Sequence, residues 1–507
     1  MRPRPQYCFR LLCATLLAGA ALGPLRLEAQ IDSSEGTAAQ PGYVPLQYTP
    51  VTPQTPLPNG NSYTNQNQTP GADESTSSTQ TPIANNANGT NGAASENGPP
   101  INFQPMTAAT RPATTDVGFA PVVGTVRDVD GTRLVNSSHG LPRLYAPGLR
   151  AGPFDVDVNA TLVETYNDNI YLAPQGTPYT SDFITSINPS ANATYTNGDS
   201  GEIDSTQVSL FYAPSGLLFS QHQSNSTINQ LMNASLTHRF SRLAISLNQA
   251  YSYISGGQIE AGNLINQSIY TSSVDMDYAA TEKTSLEIAA AYSINRYSSG
   301  LGFDDLLAAS YINYQVRPKL TLSVGPSFNR LTPEEGGGDQ TALGANVRLS
   351  YNYSEKTNLY AELGGDERQY SGSDLSNLEL TYLIGASWAV GPKTSAAVHA
   401  SRQTDSSSIT ANQDYIASDV GVTVSQTLID RFSALLVLGY EHADYYSTLS
   451  GANTFSSDFF SISPGLSFHP TIWNDVGISY LYRQELTSTG AFQFINNQVS
   501  IFSNIRF

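Results

Sequence analysis

From about Phe154 to Phe507, apolar and polar positions change places residue by residue. In Leu320 to Phe328, Leu320, Leu322, Val324, Pro326 and Phe328 take one side, and Thr321, Ser323, Gly325 and Ser327 the other. Leu343, Ala345, Val347, Leu349 and Tyr351 oppose Gly344, Asn346, Arg348, Ser350 and Asn352 in the same way. A period of two predicts β-strands, here of about ten residues, because successive side chains of a strand leave opposite faces. Leu286 to Ile294, Leu378 to Val390, Phe154 to Leu162 and Phe183 to Tyr195 repeat the pattern. One face of each strand is small and polar, which is not how the core face of a soluble sheet reads.

The strands come in pairs on a fixed ruler. The chain has four lysines, Lys283, Lys319, Lys356 and Lys393, spaced 36, 37 and 37 residues apart. Around them lie "ATEKTSLEIAA", "VRPKLTLSVGP", "YSEKTNLYAEL" and "VGPKTSAAVHA", four copies of a tight polar turn, and "RFSRLAISLNQ" and "LIDRFSALLVL" place Arg242 and Arg431 in the same setting. Longer loops such as "PEEGGGDQ" and "SGANTFSS" alternate with these turns. A repeat of two strands, one short turn and one longer loop describes an up-and-down meander of about eighteen strands. A propeller blade of similar period has four strands with Gly-His and Trp-Asp signatures, whereas this chain has two strands per repeat and only Trp388 and Trp473. A long meander either closes or exposes two edges. With apolar residues outside and polar residues inside, closure points to an all-β transmembrane antiparallel β-barrel.

Composition and charge narrow this further. Charged residues make up 13%, and 29 tyrosines, 40 glycines and 29 prolines favour strands and turns. The net charge of −18 excludes nucleic acid as an expected partner, because such binding needs clustered cations.

The first residues set the expected compartment. Arg2, Arg4 and Arg10 precede an apolar run, Leu11 to about Leu22, too short to span a bilayer as a helix. This reads as a signal peptide, residues 1–29, with cleavage after Ala29 or Ala20. Cys8 and Cys13 lie within it, so the mature chain is expected to hold no cysteine and no lipid anchor. Residues 30–115 form an Asn/Gln/Ser/Thr/Pro-rich leader with little to bury, expected to be disordered. Residues 116–152 read as a short periplasmic segment with a hairpin turning at Asp130-Gly131, and 153–507 as the barrel.

The end of the chain, "NQVSIFSNIRF", puts Val499, Ile501, Ser503, Ile505 and Phe507 on one face. Alternation ending in Phe resembles the signal by which Gram-negative outer-membrane barrels engage their assembly machinery. Val499, Ile501, Ile505 and Phe507 are the candidate residues, although Ile505 stands where many such proteins have an aromatic. The stretch "GLRAGPFDVDVNATLVETYNDNIYLAP", Gly148 to Pro174, resembles the opening of outer-membrane β-barrel proteins associated with exopolysaccharide biosynthesis, the β-barrel porin type 2 family. Gly152, Pro153, Phe154, Asp168, Asn169 and Ile170 carry the likeness over about 27 residues. The barrel reading implies outer-membrane lipids as partners, the terminal face implies the barrel assembly machinery, and the resemblance implies a polysaccharide and periplasmic export components. It implies no catalytic residue and no cofactor.

On the residues alone, both termini and the lysine turns are expected on the periplasmic side. Tyr251, Tyr253, Tyr292, Tyr351, Tyr353 and Tyr480 are candidates for interfacial girdles. Parity assigns Asp155, Asp157, Asp275, Asp277, Glu287, Glu362, Asp366, Glu379, Asp419 and Glu485 to the lumen, with Arg348, Arg368 and Arg483. Asn167, Asp168 and Asn169 suit either a turn leaving the first strand or oxygen ligands for a cation. None of the six histidines, His139, His222, His238, His399, His442 and His469, sits in a hydrolase motif, so an enzyme is not expected. Two readings stay open. One is a pore for polysaccharide or other polar solutes, and the other is a structural anchor whose leader tethers a periplasmic complex or the cell wall.

Overall fold

The structure, a computed structural model, describes residues 149–197, 204–259, 263–334, 337–354, 356–373, 375–391, 393–429, 431–471, 473–490 and 493–506. The expected signal peptide and leader, the Asp130-Gly131 hairpin and Phe507 lie outside these residues. A short strand, β1 (Leu149–Ala151), precedes eighteen long ones. They are β2 (Phe154–Asn167), β3 (Asp182–Asn197), β4 (Ser205–Phe219), β5 (Thr227–Arg239), β6 (Leu243–Gln258) and β7 (Asn263–Ala279). Next come β8 (Thr284–Tyr297), β9 (Phe303–Arg317), β10 (Leu320–Pro333), β11 (Gln340–Ser354), β12 (Thr357–Tyr370) and β13 (Ser376–Gly391). The last are β14 (Thr394–Ser406), β15 (Gln413–Ile429), β16 (Phe432–Ser447), β17 (Asn453–Phe468), β18 (Asn474–Thr487) and β19 (Phe494–Arg506).

Each strand from β2 onward pairs antiparallel with the next, and β19 pairs with β2 from Gln498↔Asn167 to Arg506↔Asn159, so the sheet closes into an eighteen-stranded barrel. Closure leaves no open edge. Where β19 runs out, β1 turns back at Gly152, whose φ of +64° suits glycine, and pairs Leu149↔Val156 against the start of β2. The long strands run 13 to 17 residues, more than the ten or so that the alternation marks. The reason is that alternation is legible only where outward positions are apolar, while the ladder continues beyond that band. In β12, outward-facing Glu367 still pairs with Leu343 and Leu378.

The cationic ruler is a structural one. Lys283, Lys319, Lys356 and Lys393, with Arg242 and Arg431, all lie in the short turns at one end of the barrel, where β2 begins and β19 ends. Their carbonyls do the same job in successive repeats. Lys283 O accepts the amide of Gln315 at 2.8 Å, Lys319 O that of Asn352 at 2.9 Å, Lys356 O that of Ala389 at 2.8 Å, and Lys393 O that of Thr427 at 2.7 Å. Arg242 O and Arg431 O accept from Ala279 and His469. Each turn thus caps the end of the hairpin that follows, which ties turn spacing to strand-pair length.

The two faces differ as a barrel in lipid requires. Leu343, Leu380 and Ile501 are 60%, 62% and 62% exposed, while Asn346, Arg368 and Asn504 on the opposite face are 1%, 1% and 3% exposed. Side chains on the buried face touch across strands that are not neighbours, which only the concave side of a closed sheet permits. An outer surface of exposed Leu, Ile and Val around a polar interior is stable in hydrocarbon and costly in water.

Candidate channel lining

The thirteen charged positions assigned to the lumen by strand parity differ in burial along the barrel. Asp155 and Asp157 are exposed and Asp275 and Asp277 half-buried near the short turns. Farther in, Glu287, Arg348, Glu362, Asp366, Arg368, Glu379, Arg483 and Glu485 are each less than 9% exposed. Asp419 is partly buried and takes the Nε2 of His399 at 3.1 Å. Three clusters gather the buried arginines with residues far apart in the chain.

The first centres on Arg348 of β11. Its Nη1 donates to Glu287 Oε1 of β8 at 2.9 Å and its Nε to Glu362 Oε2 of β12 at 3.0 Å. The guanidinium carbon lies 3.4 Å from the centroid of the Tyr311 ring of β9, a cation–π contact. Tyr311 and Tyr360 donate their hydroxyls to Glu362 at 3.2 and 2.6 Å, and Asn346 Nδ2 donates to Tyr311. Gly364 faces Asn346 across β11–β12, and a Cβ there would meet Asn346 Oδ1 at 1.8 Å, so only glycine leaves room for the amide. One arginine between two carboxylates, with phenols on the remaining lone pairs, is the arrangement that makes buried charge tolerable.

The second centres on Arg368, whose Nη1 donates to Gln340 Oε1 at 2.6 Å and Asp414 Oδ2 at 3.2 Å. Tyr370 donates to the same Asp414 oxygen at 3.1 Å and meets the Tyr446 hydroxyl at 3.1 Å. Asp414 opens β15 just after the loop 407–412, and that loop crosses the end of the barrel opposite the short turns. Gln258 Nε2 at the end of β6 donates to Ser408 Oγ at 2.9 Å, although β6 and β14 stand on opposite sides of the ring. The amide of Leu301 donates to Ser408 O at 2.7 Å, that of Gly338 to Asn412 Oδ1 at 3.3 Å, and that of Thr448 to Asn412 O at 2.9 Å. Beside it, Leu172 from the β2–β3 loop packs with Ile259 and Phe494, against Phe459. Leu172 holds φ +53°, a strained value for a leucine, and its side chain is 1% exposed. Loops from several sides therefore fold inward and roof the lumen at this end.

The third cluster fastens the seam. Asn169 is fully buried: its amide donates to Asn167 Oδ1, its Nδ2 donates to Ala173 O and Ile495 O, and its Oδ1 accepts from Ala173. Asp168 Oδ1 and Oδ2 accept the Asn497 amide at 2.7 Å and its Nδ2 at 2.6 Å. Asn496 links the rest, donating Nδ2 to Asn167 Oδ1 at 2.6 Å while its own Oδ1 accepts Nη2 of Arg483 at 2.7 Å. Of the two readings of Asn167-Asp168-Asn169, the structure takes the turn, because these oxygens are engaged in joining β2 to β19. No group of three or more potential metal ligands occurs among the described residues.

Parity could not find Asp414, Gln340, Tyr311 or Tyr370 as partners in these clusters, because contacts between non-adjacent strands depend on barrel curvature. Gln340, Tyr370 and Asp414 sit at strand ends, where the alternation has already faded. On β19, Val499 and Ile501 are exposed on the outer face and Ile505 follows them there half-buried. Tyr292, Tyr353 and Tyr480 are exposed on the outer face, with Tyr251, Tyr253 and Tyr351 half-buried beside them.

No protein-family profile and no curated protein matches the sequence. Solved structures that resemble the fold include OpdK of Pseudomonas aeruginosa, crystallised with vanillate, at 10% identity, 70% of this chain, 99% of that chain and a TM-score of 0.41. OccK11 (OpdR) of the same organism matches at 12% identity over 72% and 100% of the two chains, with a TM-score of 0.38. OccAB4 of Acinetobacter baumannii matches at 10% identity over 71% and 100%, again with a TM-score of 0.38.

Proposed function

We propose that this chain is an outer-membrane pore for polar solutes. The observation that carries the reading is the closed barrel of eighteen strands whose outer face is apolar and whose inner face is polar. That strand number is large enough to hold an aqueous channel, because barrel diameter grows with strand count. In this reading the short turns and both ends of the barrel chain face the periplasm, the outer face meets lipid, and the Val499–Ile505 face engages the assembly machinery. Passage of a polysaccharide is the finer form of the proposal, supported by the Gly148 to Pro174 resemblance. The test is single-channel recording of the purified full chain in a planar bilayer. Stable unitary steps are expected; a protein that inserts yet stays silent at every voltage would overturn the pore.

A further inference from the structure

The inner wall divides into two kinds of surface. Along β8 to β15 it is charged, with the clusters of Arg348 and Arg368 buried in it. Along β3 to β7 it is neutral. Between Asp182 at the roof and Arg239, Asp275 and Asp277 near the short turns, no described inward strand position carries an ionisable side chain. Amides and hydroxyls predominate in this stretch, Asn192, Ser209, Asn233, Ser235, Asn248 and Ser273 among them, with Phe211, Leu231, Ile254 and Ile269 interspersed. The six polar residues are all half-buried, whereas Ser327, Asn346 and Thr381 on the charged wall are 6%, 1% and 7% exposed; only toward the roof does the neutral wall pack as closely, at Ser186, Ser215 and Asn229. Some of the neutral groups bond sideways, Ser209 Oγ to Asn192 Oδ1 at 3.1 Å and Asn233 Nδ2 to Asn248 Oδ1 at 2.9 Å. An amide offers about four bonding sites, so one such bond leaves capacity toward the lumen.

We propose that the solute track of this barrel runs eccentrically along β3–β7 and takes uncharged solutes rich in hydroxyl or amide groups. An ion leaving bulk water here meets no opposite charge to offset its lost hydration. A hydroxyl, by contrast, both donates and accepts, and exchanging its water for Asn and Ser partners is close to neutral. The opposite wall is spent on holding itself together, its guanidinium groups already paired to carboxylates. This inference rests on the pore reading for its meaning, but water access to each wall is measurable whether or not the pore conducts.

The experiment uses single cysteines in the mature protein, whose sequence beyond residue 29 contains none. Asn233→Cys, Ser235→Cys, Asn248→Cys and Ser273→Cys are compared with Ser327→Cys and Thr381→Cys. Each folded variant is identified by its mobility on unheated gels and treated with a membrane-impermeant methanethiosulfonate, and the adduct is read by mass. The β5–β7 cysteines are expected to react at least about tenfold faster, because a buried thiol reacts only after local opening. Glucose oligomers are expected to slow that reaction and succinate to leave it unchanged. Equal rates on the two walls, or faster reaction on β10 and β13, would overturn the track. Protection by succinate, or none by the oligomers, would overturn the solute class. A silent bilayer recording beside selective labelling would refute the pore and leave the track standing.

Discussion

Arg348 and Glu287 meet at 2.9 Å across the inside of the barrel, although β9 and β10 stand between their strands. With side chains only 8% and 5% exposed, this pair bridges strands that share no backbone ladder. Arg348→Met leaves Glu287 and Glu362 buried without a cation, and should cost about 3–5 kcal/mol. The triple variant Arg348→Met, Glu287→Gln, Glu362→Gln should recover much of that loss. Guanidinium unfolding in detergent checks both, and a single variant as stable as the parent would show that the pair bears little of the barrel's stability.

The roof predicts a change in conductance rather than in folding. Gly300 has φ +142°, and a Cβ there would meet Ser408 O at 2.6 Å, so Gly300→Val should push the 407–412 loop off its contacts. Removing Ser408 to Ala411 should act in the same direction. Larger or more frequent open steps are expected with unchanged heat-modifiable mobility. Identical conductance in both variants would mean that the loop does not set the barrier.

At the seam, Asp168→Ala removes two acceptors from Asn497, and Asn169→Ala strips a buried turn of its side-chain bonds. Each should destabilise by about 1–3 kcal/mol, the range for a buried polar group left unpaired. Slower conversion to the compact gel form should accompany the loss, because these bonds join the first and last strands. Added calcium should stabilise the parent no more than the variants, and stabilisation of the parent alone would favour cation binding by this turn.

Ion preference should arise at the short-turn mouth. Asp155 and Asp157 are exposed there and Asp275 and Asp277 half-buried, while Glu287 and Glu362 farther in are paired to Arg348. Modest cation selectivity is therefore expected, fading as salt rises, since screening at physiological salt acts over about 8 Å. Changing these four to Asn should abolish it. Reversal potentials across a salt gradient provide the measurement, and anion preference in the parent would refute the assignment.

What the sequence determined by itself was periodicity and count. Alternation at Leu320 to Phe328 fixes which residues share a face, because the strand period is two. The turns at Lys283, Lys319, Lys356 and Lys393 mark the length of a strand pair, and that length divided into Phe154 to Phe507 gives about eighteen strands, since every hairpin must return to the same rim. Apolar residues on one face and polar ones on the other then leave closure in lipid as the stable arrangement. Which inward residues meet is set by the closed barrel instead. Arg348 reaches Glu287 three strands away, Gln258 reaches Ser408 across the mouth, and Leu172, at φ +53°, packs with Ile259 and Phe494 from distant parts of the chain. Such contacts depend on curvature and on loops without a repeating pattern. The division of the lumen into a packed charged wall and a half-open neutral one is likewise tertiary, because parity states the facing of a side chain and not how far the opposite wall stands from it.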